Sequence, residues 1–184
     1  IGHTIHNDNE EEQYWFSEGF TEYYTFKNIA KNKINGLDGT FFIDEFNRTI
    51  RDLYASSVTE APNSEINYDN FWTNYEYSKL PYWRGAIFAF YLDQKIQQMS
   101  EGKQSLDDVM HQIYTDATTN GQKLTHDYFI GVMDAFWDEG FEAVFQMHIE
   151  KGQKVDLVAL FDEFDLEYSP QSDIYELGFE FSED

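Results

Sequence analysis

Apolar side chains recur three and four residues apart along most of this sequence, the period of a helix with one buried face. The spacing predicts a first helix from Trp15 to about Ile34. It is headed by the acidic run Glu10-Glu11-Glu12, which suits the positive end of a helix dipole, and stops near Asn35-Gly36. Phe42, Phe46, Ile50 and Leu53 give one face of a second helix from about Phe41 to Tyr54. Pro62 and its polar neighbours make residues 61–67 a loop, followed by a short aromatic-rich helix over Tyr68 to Tyr77. A longer helix is expected from about Tyr82 to Met99, with Pro81 favouring its first turn. Ile87, Phe90, Tyr91 and Leu92 crowd together there, so this helix should be the central buried element. Ser105-Leu106-Asp107-Asp108 resembles a capping box for a helix reaching about Thr118. Thr125 caps the next, whose inner face carries Phe129, Val132, Met133 and Phe136. Short helices near Phe141–Ile149 and Val155–Phe164 complete the body. Alternation of period two is nearly absent until Tyr175–Phe181. The expected fold is all-α: one multi-helix bundle of about seven to eight helices over residues 1–168, with a non-helical tail over 169–184. There is no internal repeat and no linker that divides the chain.

Composition supports a folded body. A chain of 184 residues can bury about 70% of its unfolded surface, and 41% hydrophobic with 18% aromatic residues argues against disorder. Twelve basic against 35 acidic residues give a net charge of −23. That balance disfavours nucleic acid and anionic membrane as partners. It would attract a free α-amino group, although the acidic residues are spread along the whole chain. The absence of cysteine removes any disulfide framework, and no apolar run approaches the length of a bilayer span. Compartment and oligomeric state are left open.

Candidate chemistry is concentrated near the N-terminus. A lone histidine such as His3 is ordinarily solvated, and His6 one turn on makes a pair that chance also produces. Glu18 lies between Phe16 and Phe20 on a strongly amphipathic helix, so its surroundings are not plainly solvent. Glu22, four residues on, shares its face. The two are either surface carboxylates that repel mildly, or a metal ligand and a carboxylate that supports a metal-bound imidazole. Tyr82 follows Pro81 at the mouth of the long helix. Its hydroxyl could donate to a developing oxyanion, or it could be one more of thirteen tyrosines packing an aromatic core. Gly85 costs a helix roughly 1 kcal/mol relative to Ala, which signals close packing against another element. His111, His126 and His148 have no neighbours at ligand spacing and read as surface residues; Asp107-Asp108 and Asp162-Glu163 read as caps and solvated faces.

Three segments in order, Gly2-His3-Thr4-Ile5-His6-Asn7, then Trp15 to Tyr24 (WFSEGFTEYY), then Tyr82-Trp83-Arg84-Gly85-Ala86 with Phe90 to Asp93 and Ser105 to Val109, resemble the gluzincin zinc aminopeptidases. The likeness is greatest to the glycyl aminopeptidase-like branch with a C-terminal PDZ domain, and it spans nearly the whole chain. Leu177-Gly178-Phe179-Glu180-Phe181 looks like the opening of that PDZ domain. The resemblance implies a zinc exopeptidase that removes N-terminal residues from peptides. His3 and Glu18 would be zinc ligands, Tyr82 the oxyanion stabiliser and Glu22 a supporting residue. His-Glu immediately before Ile1 would complete an HExxH motif, whose Glu is the general base. On this reading the chain is a fragment starting inside the motif, lacking the first His and the base, and inactive alone with zinc absent or weakly held. The interval from His3 to Glu18 is also shorter than in related alanyl aminopeptidases, so the connecting loop must be shorter. The alternative is a helical binding or assembly module that has lost catalysis.

Overall fold

A computed structural model describes residues 4–164 and 166–167. His3 and the tail over 169–184, with its PDZ-like opening, lie outside the described residues. The architecture is all-α, one bundle around a single core, and among the described residues the β-type pairing is an isolated bridge between Asn7 and Leu124.

The first helical stretch starts earlier than the apolar period suggests and changes its winding on the way. α1 (Glu10–Tyr14) passes into a π-helical segment (Trp15–Phe20) and then α2 (Thr21–Lys31). The backbone stays right-handed helical at both junctions, so this is one rod with a wide turn in it. The wide turn follows from its sequence. Residues five apart share a face when hydrogen bonds run i→i+5, whereas the 3.6-residue α period splays them. Trp15, Phe16 and Phe20 therefore all enter the core, each fully buried and ring-to-ring with Phe129. The rod ends at Lys31, three residues before the predicted stop, where Lys33 and Asn35 take left-handed backbone angles.

α3 (Gly39–Ala55) is capped by Asp38, whose side chain accepts from the Thr40 N–H at 2.9 Å. The aromatic-rich stretch is divided differently from its prediction. α4 (Tyr68–Thr73) ends at Asn74, and α5 runs from Tyr75 to Met99 with Pro81 inside it. Asn74 explains both facts, because its side chain accepts from the Glu76 N–H at 2.9 Å and so starts a new helix at once. Pro81 is a buried interior residue of that helix rather than its opening turn. α5 is the central element as expected, with Ala86, Ile87, Phe88, Ala89, Leu92 and Ile96 all buried. α6 (Leu106–Asn120) carries the Ser105–Asp108 capping box, and α7 (His126–Met133) is capped by Thr125, whose hydroxyl accepts from Tyr128 N–H at 3.0 Å. α8 (Phe141–Phe145) continues into a second π-helical turn (Gln146–Glu150), and α9 (Leu157–Glu163) packs against the end of α5.

Buried polar groups tie the rods together. Asp93 of α5 accepts from the Tyr23 hydroxyl, from the Leu106 N–H at 3.0 Å and from Lys27 Nζ at 3.0 Å. Lys27 also reaches Asp107 at 2.7 Å, and Asp107 accepts from the Tyr24 hydroxyl at 3.0 Å. Asp107 is thus part of a link between α2 and α6, more than the solvated cap its position suggests.

Candidate functional site

The π-helical turn crosses α5 where two glycines meet. A methyl group on Gly19 would stand 2.3 Å from the Gly85 Cα, and one on Gly85 would stand 2.0 Å from the Trp15 carbonyl oxygen. No side chain fits between the rods, so the backbones touch. Glu18 precedes one glycine by one residue and Tyr82 precedes the other by three. The crossing therefore brings both side chains to the same edge, with the Tyr82 hydroxyl near the Glu18 carboxylate.

Both residues are half-buried. Burial, first, and the nearby Glu18 carboxylate push the Tyr82 hydroxyl well above the ordinary tyrosine range. Tyr82 consequently stays protonated through the physiological range and can act as a donor. Glu22, one turn beyond Glu18, is raised by burial first and then by the Glu45 carboxylate of α3, with Lys79 opposing. Tyr14 is raised by burial and by Glu10, Glu11 and Glu18, which places its hydroxyl on the same side. The Lys79 ammonium stands 5.0 Å from the centre of the Tyr82 ring, close enough for a cation–π contact.

The edge therefore gathers Glu18, Glu22, Glu45 and Tyr82 from three helices, with Lys79 as the nearby cation. Glu45, Lys79 and Tyr14 were not singled out from the sequence. Lys79 sits one turn before Tyr82, which is a readable signal; Glu45 comes from a helix with no local link to the others. The excess of carboxylate suits a cationic guest, either a metal ion or an ammonium group. Among the described residues no group of three or more His, Asp or Glu side chains is placed to hold a metal ion. Glu18 is the one sequence-proposed ligand within those residues.

Two histidines read as surface residues are not. His126 packs between the Trp15 and Phe145 rings; its Nε2 lies 3.1 Å from the Glu12 carbonyl oxygen and 3.4 Å from the Trp15 indole nitrogen, and its Nδ1 lies 3.8 Å from the Glu150 carboxylate. His148 lies 2.9 Å from the Gln153 carbonyl oxygen and contacts the Phe88 and Tyr91 rings; burial lowers its pKa. Neither approaches Glu18 through any described contact. His6 is exposed and pairs through its backbone carbonyl with the Leu124 N–H at 2.8 Å, in a non-helical segment. His111 is exposed, as expected.

Among the described residues no helix is long and apolar enough to cross a membrane. The sequence matches no protein-family model and no curated protein.

Proposed function

We propose that these helices form part of the catalytic region of a zinc aminopeptidase that hydrolyses N-terminal residues from peptides. Glu18 serves as a zinc ligand, His3 as another, Tyr82 as the donor to the developing oxyanion and Glu22 as a supporting carboxylate. The observation that carries this reading is the meeting of Glu18 and Tyr82 at a backbone-to-backbone helix crossing.

The donor chemistry fits in part. A carboxylate oxygen is an ordinary zinc ligand, and half-exposure of Glu18 leaves an approach for peptide. The reading requires one further ligand and a general base besides these residues. Zinc, when bound, supplies Lewis acidity and a lowered pKa to water. This chain's own contribution is positional and electrostatic. Burial and the nearby Glu18 charge raise the Tyr82 pKa, which keeps its hydroxyl proton available for donation to negative charge on a carbonyl oxygen. Glu22 and Glu45 make the edge attractive to a peptide α-ammonium, and Lys79 limits their mutual repulsion.

The test is zinc affinity of the full-length natural protein, measured by competition with a chromophoric chelator. Glu18→Gln is expected to weaken zinc by more than about 100-fold, beyond the loss that outer partners cause. Unchanged affinity would sink the ligand assignment and leave the non-catalytic module as the reading.

A further inference from the structure

Arg84 is a buried cation without a counter-charge among the described residues. Only 5% of the residue is exposed, and no carboxylate contacts its guanidinium among the described residues. One terminal nitrogen, Nη2, donates to the Ala61 carbonyl at 2.6 Å and to the Thr59 carbonyl at 3.3 Å. The other, Nη1, is buried with no hydrogen-bond partner among the described residues, and so is the Thr59 hydroxyl oxygen. Both residues line one small cavity on the side of α5 away from Tyr82, two residues along the helix. Leu53, Ile87 and Phe88 supply apolar wall, and Lys154 closes another side with its ammonium 3.2 Å from Glu60. The cavity volume is about 10 Å³, room for the centre of a single water-sized particle.

Burial lowers the Arg84 pKa only to about 10, so the guanidinium keeps its charge at neutral pH. An enclosed charge of this kind is costly unless paired. A water molecule would satisfy the two idle polar atoms and leave the charge uncompensated. A monatomic anion would satisfy both.

We propose that this cavity is a binding site for a single small anion of the halide class, held by Arg84 Nη1 and the Thr59 hydroxyl. The anion joins the 56–61 loop and the 151–155 loop across the back of α5. Gly152 belongs to the same closure. It holds a left-handed φ of +70°, and a methyl group there would stand 2.7 Å from Arg84 Nη2. The site is independent of the peptidase reading, since none of its residues is assigned to zinc or to catalysis.

Salt alone will stabilise a chain of net charge −23 by screening, so the comparison must hold ionic strength fixed. The full chain is unfolded thermally in sodium chloride and in sodium gluconate at matched ionic strength. Chloride is expected to raise the midpoint above gluconate by an increment that grows with the logarithm of its concentration above the dissociation constant, as a ligand that binds only the folded state must. Bromide soaked into crystals should give an anomalous peak within hydrogen-bonding distance of Arg84 Nη1. Thr59→Val, milder than any change at Arg84, is expected to move the chloride titration to roughly tenfold to 100-fold higher concentration, the worth of one charge-assisted hydrogen bond. Equal midpoints in the two salts, or a chloride effect untouched by Thr59→Val, or a crystal in which the cavity holds only water, would overturn the proposal.

Discussion

Gly19 and Gly85 touch through their backbones, and that contact sets the separation of the two helices that carry Glu18 and Tyr82. A methyl group on Gly85 would lie 2.0 Å from the Trp15 carbonyl oxygen and 2.8 Å from the Gly19 Cα, distances no unaltered packing accepts. Gly85→Ala should therefore destabilise by about 3 kcal/mol, the overpacking strain exceeding the roughly 1 kcal/mol that Ala gains in a helix. Gly131, exposed within α7 with nothing within 4 Å of an added methyl group, is the control. Gly131→Ala should stabilise by up to about 1 kcal/mol. Urea unfolding of both variants checks the pair; a Gly85→Ala variant as stable as the parent would mean that the crossing relaxes freely.

Tyr82→Phe separates donation from metal binding. In the full-length natural protein, the substitution should lower kcat by about 100-fold, the scale of one lost oxyanion donor, with zinc content unchanged. Steady-state kinetics beside elemental analysis decides this. Zinc loss in the variant would assign Tyr82 to the metal site instead.

Local signals in the sequence were legible, and tertiary ones were not. The Ser105 capping box, the Thr125 cap and the apolar face of α3 are read from residues within one or two turns, and each stands where it was expected. The start of α5 was misplaced because Pro81 was weighed above Asn74, although an Asn cap begins a helix wherever its carbonyl meets two free N–H groups. The π-helical turn could not be found with a 3.6-residue template, since Trp15, Phe16 and Phe20 share a face only when the turn widens. The pairing of Glu18 with Tyr82 was suggested by resemblance, with Gly85 the one physical hint. The burial of His126 and His148 had no local signature, because a single histidine between aromatic rings leaves no period.

Asp93 is a further residue that the sequence did not mark, and its removal should be costly. Asp93→Ala would orphan the buried Tyr23 hydroxyl and the Leu106 N–H, and would leave Lys27 with Asp107 alone. Loss of one partner from a buried ionic network costs about 3–5 kcal/mol. Tyr23→Phe removes a single hydrogen bond and should cost about 1–2 kcal/mol. Chemical denaturation of the two variants should reproduce that order; equal losses would show that Asp93 acts through Tyr23 alone.

His148 makes the fold sensitive to mild acid in a defined direction. Burial lowers its folded pKa below the ordinary value of 6.5, while the Gln153 carbonyl opposes in part. Between those two values the unfolded chain binds more protons than the folded one, so stability falls as pH falls. The His148 contribution is complete above about pH 6.5 and is lost progressively down to the folded pKa, with a slope of at most about 1.4 kcal/mol per pH unit. His148→Asn places an amide N–H near the same carbonyl and cannot titrate. The unfolding free energy of the parent minus that of His148→Asn should thus be flat above pH 7 and decline below it. Carboxylate titration, common to both proteins, cancels in the difference. A difference that is constant from pH 5 to pH 8 would show that the buried imidazole accepts its proton without cost to the fold.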